Sequence, residues 1–305
     1  MSKGYGFKLK RENNRELDCI CWTVENPRGI LQISHGMAEH KKRYENFAKF
    51  LNSKGFSVYA HDHRGHGKSA NEKLGFFAYE SGWEKVRDDI YALTKEIKRR
   101  EGNVPIFLFG HSMGSFLSRA YIQEYGAEIK GVILSGTAGK PGIKGVIGKK
   151  IAENNGKKYG VDTLSPKLND MAFGNYNNRC KDNKTEFDWL SRDENEVQKY
   201  IEDPLCGFVC TNQFYADLLG GLINISKRRE IKKIPKNLPI FLISGSMDPV
   251  GEYKKGVLQT YLSYSKCGIK DVRYKFYEGA RHELINELNK NEVYEDIINW
   301  IEEHL

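Results

Sequence analysis

The chain has 305 residues, of which 39% are hydrophobic and 12% aromatic, and 48 Lys+Arg against 40 Asp+Glu give it a formal net charge of +8. This composition supplies a sizeable core and excludes intrinsic disorder, and the length suits one large domain or two modest ones. A mean hydropathy of −0.61, with no apolar run near the ~18 residues that a bilayer span requires, excludes a helical membrane-embedded protein.

The polar start Met1-Ser-Lys-Gly-Tyr-Gly-Phe has no apolar segment of the kind a secretory signal carries. Six cysteines are too sparse for a disulfide scaffold, so the expectation is reduced thiols and a cytoplasmic location, with peripheral membrane contact as an addition.

Along the chain, short apolar runs alternate with helical periodicity, the pattern of βαβ units on a mostly parallel sheet. Ile30 to Ser34 and Ser57 to Ala60 read as buried strands. Trp83, Val86, Ile90, Leu93 and Ile97 then place one apolar stripe on a helix that Gly102 stops. Strands are predicted again at Ile106 to Phe109 and Val132 to Leu134, with a helix between them carrying Phe116, Leu117, Ala120 and Tyr121 on one face.

From about 137 to 236 the texture changes to glycines and amphipathic helix fragments, without a series of strands. Phe214, Tyr215, Leu218, Leu219 and Leu222 form one apolar face, with Thr211 or Asn212 as its cap. The sheet grammar then resumes with strands at Leu238 to Ile243 and Val272 to Tyr277 and a helical pattern from Leu284 to Ile301. The expected organisation is a core of residues 1–136 and 237–305 with an inserted, mainly helical cap at 137–236. An insertion there lies over the strand ends, where such folds bind ligands.

Gly110-His111-Ser112-Met113-Gly114 fits G-x-S-x-G, entered by a strand and left by a helix. A serine at so tight a turn is held in a strained conformation, and side chains two residues away would collide with the strand and the helix, so glycine stands at both places. The turn projects the Ser112 hydroxyl and sets the Met113 amide at a helix start, where an oxyanion would be stabilised. A serine hydroxyl needs a positioned base and an orienting carboxylate. Asp248 follows one late strand and His282 the next, in the order that this fold uses. The second oxyanion donor is expected from the loop after the first buried strand, His35-Gly36-Met37-Ala38-Glu39-His40, at the Met37 amide.

These segments, together with Asp62-His63-Arg64-Gly65-His66-Gly67-Lys68-Ser69 and Gly279-Ala280-Arg281-His282, resemble the monoacylglycerol lipase and lysophospholipase branch of the serine α/β-hydrolases over most of the chain. The resemblance implies an α/β-hydrolase fold, a mostly parallel sheet flanked by helices with an inserted helical cap over an acyl pocket. It also implies a Ser112, Asp248, His282 triad, an oxyanion hole from the Met37 and Met113 amides, and neither cofactor nor metal. Ala38 departs from the family, which often has glycine there. The expected substrate is a small acyl ester such as a monoacylglycerol. A lysophospholipase or a short-chain carboxylesterase would use the same triad, and a non-catalytic binding protein on this fold is the alternative of another class.

Two other signals have plainer readings. His61, His63 and His66 have the spacing of a metal-dependent hydrolase, but Gly65 stands where its aspartate ligand would be, so Asp62 and Arg64 are expected to tie down a turn. Cys19, Cys21, Cys206 and Cys210 lack paired C-x-x-C spacing and read as free thiols. The inserted segment holds 18 Lys+Arg against 13 Asp+Glu, a surplus of five, clustered at Lys227, Arg228, Arg229, Lys232, Lys233 and Lys236. A second basic segment interleaves Ile143, Val146, Ile147 and Ile151 with lysines and is weakened by nearby glycines. This surplus reads as an ordinary solvated basic face or as contact of the cap with an anionic lipid surface; without a recognised module it does not suggest nucleic-acid binding.

Overall fold

Strands covered on both faces carry no polar alternation, and Gly29–Ser34 (β3), Phe56–His61 (β4), Ile106–His111 (β5), Gly131–Ser135 (β6) and Ile240–Gly245 (β7) are buried at every residue. In the computed structural model, which describes residues 4–70, 73–180 and 183–305, they form the centre of an eight-stranded sheet. Its order is β1-β2-β4-β3-β5-β6-β7-β8, with Tyr5–Lys10 (β1), Glu16–Trp22 (β2) and Val272–Tyr277 (β8) completing it. The pairs β1/β2 and β2/β4 are antiparallel and the remaining pairs parallel. Met1 to Lys3, read above for a targeting signal, and Lys181 and Asp182 of the basic segment lie outside the described residues.

Six strands stand where the apolar runs predict them, within two residues at either end. The β1–β2 hairpin was not anticipated, although Leu17, Cys19 and Cys21 alternate inward with Glu16, Asp18 and Ile20, an edge-type pattern short enough to be missed.

Helices cover both faces. Gly82–Glu101 (α2) presents Val86, Ile90, Leu93 and Ile97 to one apolar layer, shared with Leu117 and Tyr121 of Met113–Tyr125 (α3). On the other face Glu45–Ser53 (α1) supplies Phe47 and Leu51 to a second layer. Gly102 ends α2 at a φ of 67°, its N–H bonded to Lys98 O at 3.0 Å.

Between β6 and β7 come Gly142–Tyr159 (α4), Pro166–Phe173 (α5), Glu194–Glu202 (α6), Asn212–Ile225 (α7) and Arg228–Ile231 (α8). Thr211 caps α7, accepting the Phe214 N–H at 3.3 Å. The glycines of α4 have a packing role: Gly145, Gly148, Ala152 and Gly156 are its buried face, and a Cβ on Gly148 would lie 3.1 Å from Leu219 of α7. Small side chains let the two helices approach closely, which leaves Ile143, Val146 and Ile147 facing solvent at 79%, 55% and 53% exposure.

After β7, Lys255–Lys266 (α9) packs on the α2/α3 side and Lys290–Glu302 (α10) on the α1 side. The helical pattern predicted from Leu284 resolves into a short 3-10 turn at Leu284–Asn286 followed by α10.

The turn after β4 is held by charge. Asp62 Oδ1 accepts the Lys41 N–H at 2.9 Å, and Oδ2 accepts Lys41 Nζ at 2.6 Å and the Lys68 N–H at 2.8 Å. Arg64 grips Asp89 at 2.6 and 3.0 Å. Lys41 is only 2% exposed and keeps Asp18 as a second partner, so Asp62→Ala should cost about 1.5–3 kcal/mol by removing a charged acceptor from a buried ammonium. Urea unfolding of the purified variant measures it.

Candidate active site

Ser112 sits between the last residue of β5 and the first of α3, with φ 51° and ψ −122°. An L-residue is held there only when its surroundings enforce it. Its N–H donates to Ser135 O on β6 at 2.9 Å, and its carbonyl accepts the Phe116 N–H of α3 at 3.2 Å. The flanking glycines are a matter of space: a Cβ on Gly110 would lie 2.3 Å from Ser118 Oγ, and one on Gly114 would lie 2.0 Å from Ser34 O. The serine is thereby lifted to the start of α3, whose first amides, Met113 included, have no intrahelical acceptor.

Asp248 follows β7 and His282 follows β8, both essentially without solvent exposure. His282 Nδ1 lies 2.9 Å from Asp248 Oδ1, which also accepts the Val250 N–H at 2.9 Å, while Oδ2 accepts Ser244 Oγ at 3.2 Å. Burial pushes the imidazole down, but the adjacent Asp248 carboxylate outweighs it and raises His282 above its ordinary value. With Nδ1 engaged, Nε2 is left buried and has no hydrogen-bond partner among the described residues. Trp189, from the intervening segment, lies with its ring centroid 5.1 Å from that of His282, tilted by 38°.

The loop after β3 brings Gly36, Met37 and Ala38 to the same cavity as Ser112 and His282. Glu39 Oε1 accepts the Gly36 N–H at 2.5 Å and the Tyr44 hydroxyl at 2.8 Å. Arg43 donates to Glu39 Oε2 at 2.9 Å and grips both oxygens of Glu283 at 2.6 and 2.7 Å. One buried guanidinium therefore fastens the Met37 loop to the residue beside His282. Burial raises the Glu283 carboxyl, but Arg43 outweighs that and holds it down at about 2; burial leaves the Glu39 carboxyl raised. Ala38 takes a left-handed φ of 51°, a conformation that glycine would adopt at less cost.

All five residues expected from sequence, Ser112, Asp248, His282, Met37 and Met113, thus come from loops at one end of the sheet, and Ser112, Met37 and His282 line one cavity of about 410 Å³. Sequence reasoning did not find Trp189, Arg43, Glu39 or Glu283. Only the i,i+4 pairing of Glu39 with Arg43 and the position of Glu283 beside His282 hinted at the network. His61, His63 and His66 are not part of the site. They are buried with their rings edge-on to one another, His63 Nε2 lies 3.1 Å from Ser34 Oγ, and burial drives His61 and His66 down to about 4.

A mostly parallel sheet flanked by helices, with a strand, sharp turn and helix at Ser112, defines an α/β-hydrolase. The chain belongs to the serine aminopeptidase S33 family, whose model matches residues 25–289. It is 28% identical over 285 residues to a monoacylglycerol lipase of Mycolicibacterium smegmatis, covering 93% of this chain and 92% of that one. It is also 28% identical over 297 residues to the human monoglyceride lipase, covering 96% and 89%. Among solved structures, a thermostable carboxyl esterase from Bacillus coagulans in complex with glycerol superposes with a TM-score of 0.92 at 29% identity, covering 100% and 99% of the two chains.

If His282 acts as a base it must be neutral, so kcat/KM should fall as pH drops through a value above the ordinary ~6.5 of histidine. Asp248→Asn removes the charge that raises it, so that acid limb should move to lower pH while kcat falls by about 10⁴-fold. A pH–rate profile of both proteins checks the two effects together.

Proposed function

We propose that this carboxylic-ester hydrolase cleaves monoacylglycerols through an acyl-enzyme formed on Ser112. The observation that carries this reading is the cavity itself: the buried, unpartnered Nε2 of His282 and the Ser112 side chain share it with a wall of Met37, Phe173, Phe187, Trp189, Leu190, Phe208 and Val209. Its 410 Å³ lies within the ~300–1,000 Å³ range of small-molecule sites. In the proposed sequence His282 takes the Ser112 proton as the oxygen attacks the ester carbonyl, and Asp248 holds the imidazole and stabilises its charge. The tetrahedral oxyanion forms against the Met37 and Met113 amides, the alcohol leaves with the proton from His282, and water activated by the same base frees the acid. The α4–α8 segment serves as the cap that supplies much of the acyl wall.

The head group is inferred from charge. Glu39, Asp170, Glu186 and Glu283 line the cavity, no lysine or arginine is among the described residues that line it, and Arg43 is already bound by Glu39 and Glu283. A neutral glycerol suits such a lining better than a phosphate, which would meet carboxylates without a free cation. The same carboxylates also favour a second reading, suggested by the family's description: a substrate with a free ammonium group, as in an aminoacyl amide.

Initial rates on long-chain monoacylglycerol, anionic lysophosphatidylglycerol, short-chain esters and aminoacyl anilides separate these readings. The expected order puts monoacylglycerol first by at least about tenfold, with Ser112→Ala losing about 10⁶-fold in kcat. Faster turnover of the aminoacyl anilide would put the peptidase reading in front, and near-wild-type turnover by Ser112→Ala would defeat the mechanism.

We also propose a cytoplasmic protein that touches anionic membranes through α4. All six cysteines are free, as a reducing compartment favours, and no helix among the described residues is long and apolar enough to cross a membrane. The exposed Ile143, Val146 and Ile147 accompany Lys144 and Lys150 on α4, while Lys140, Lys227, Arg228 and Arg229 line a basic hollow at the start of α8. Near an anionic surface each basic residue contributes about 1 kcal/mol. Anionic vesicles should sediment the protein and neutral vesicles should leave it in the supernatant; equal recovery from both would remove this reading.

A further inference from the structure

Asp203 to Gly207 follow α6 and pack on the loop that carries Met37 and Ala38. Within that turn the Cys206 N–H donates to Asp203 O at 2.9 Å and the Leu205 N–H to Asp203 Oδ1 at 2.9 Å, while the Gly207 N–H reaches across to Ala38 O at 3.0 Å. Asp203 Oδ2 is left facing His40 Nε2 at 2.8 Å. With Cys206 Sγ, the three atoms lie within 4.8 Å of one another.

We propose that His40 Nε2, Asp203 Oδ2 and Cys206 Sγ form a zinc-binding site that joins the core to the α6–α7 segment, with water as the fourth ligand. A thiolate, an imidazole and a carboxylate are the donor set of zinc, whereas magnesium and calcium take oxygen ligands. Ligands 2.0–2.3 Å from a tetrahedral ion stand roughly 3.5 Å apart, so His40 Nε2 and Asp203 Oδ2 open from 2.8 Å by under about an ångström while Cys206 Sγ, within 4.8 Å of them, closes in. Asp203, at 31% side-chain exposure, has the freedom to move, and His40, at 8%, is the fixed point. The Leu205 N–H on Oδ1 orients the carboxylate in the manner typical of metal ligands.

Capture needs two proton adjustments. Cys206 is held protonated by burial and releases one proton to water as the zinc–sulfur bond forms. His40 moves its ring proton from Nε2 to Nδ1, giving up the long 3.3 Å bond that Nδ1 accepts from the Lys42 N–H. The nearby Arg43 does not bar a cation, because Glu39 and Glu283 neutralise it. The ion would pin Gly207 and Ala38, both at the cavity wall, and so slow turnover of whichever ester the enzyme cleaves.

Metal-free full-length protein, titrated with zinc against a chromophoric chelator, should bind one equivalent. Cys206→Ser and Asp203→Asn should weaken that binding by more than about 100-fold, beyond the roughly 10–100-fold that loss of a merely orienting group costs, whereas Cys267→Ser, remote from the cluster, should bind as wild type does. Cobalt in place of zinc should give a thiolate-to-metal charge-transfer absorption that Cys206→Ser lacks, and zinc should raise the melting temperature of wild type but not of that variant. Equal zinc affinity in wild type and Cys206→Ser, or cobalt without the thiolate band, would overturn the site. Unchanged turnover at full occupancy would overturn the clamp. The binding readouts use no substrate, so they stand or fall separately from the monoacylglycerol reading.

Discussion

The backbone of Ser112 is held in a conformation that an L-residue leaves unless something prevents it. Three elements prevent it: β6 takes its amide through Ser135, α3 takes its carbonyl, and β3 presses on Gly114 so closely that a single added carbon would overlap Ser34 O. The strain is spread over a sheet whose central strands are buried at every residue, which is why a turn of five residues can stay sharp. Its product is directional. The hydroxyl stands off the sheet end, and the first amides of a thirteen-residue helix point to the same place with the positive end of its dipole.

Around that fixed point the remaining loops are joined by charge. Arg43 is a guanidinium taken out of water, and such a group is tolerated only when its donors are met. Two carboxylates meet them, one governing the Gly36 amide and one adjoining His282, so the cost of burial is offset by a link between loops that the chain does not otherwise connect. The same low-dielectric surroundings act on His282, where Asp248 outweighs desolvation and sets the ring with Nδ1 engaged and Nε2 free.

The segment between β6 and β7 faces two ways. Its inner side supplies Phe173, Phe187, Trp189 and Leu190 to the cavity wall. Its outer side follows from an inversion of usual helix design: α4 buries glycine and alanine against α7 and turns Ile143, Val146 and Ile147 outward. Close approach of two backbones decides which face is inside, and large apolar side chains are left for a surface other than the protein's own core.

Much of this was legible in the chain. Strands buried on both faces must be short and continuously apolar, and a strained turn must have glycine where side chains would collide, so both leave local marks that need no partner to be read. The spans of β3 to β7, the stop of α2 at Gly102 and the elbow at Ser112 are of this kind. What the tertiary structure alone decided is which distant residues meet. Arg43 and Glu283 are 240 positions apart, and Trp189 reaches His282 from an irregular stretch with no periodicity of its own. His40 faces Asp203 and Cys206 of the segment between β6 and β7. Such contacts depend on the angle at which separately folded segments pack, a long-range quantity on which side-chain spacing carries no information.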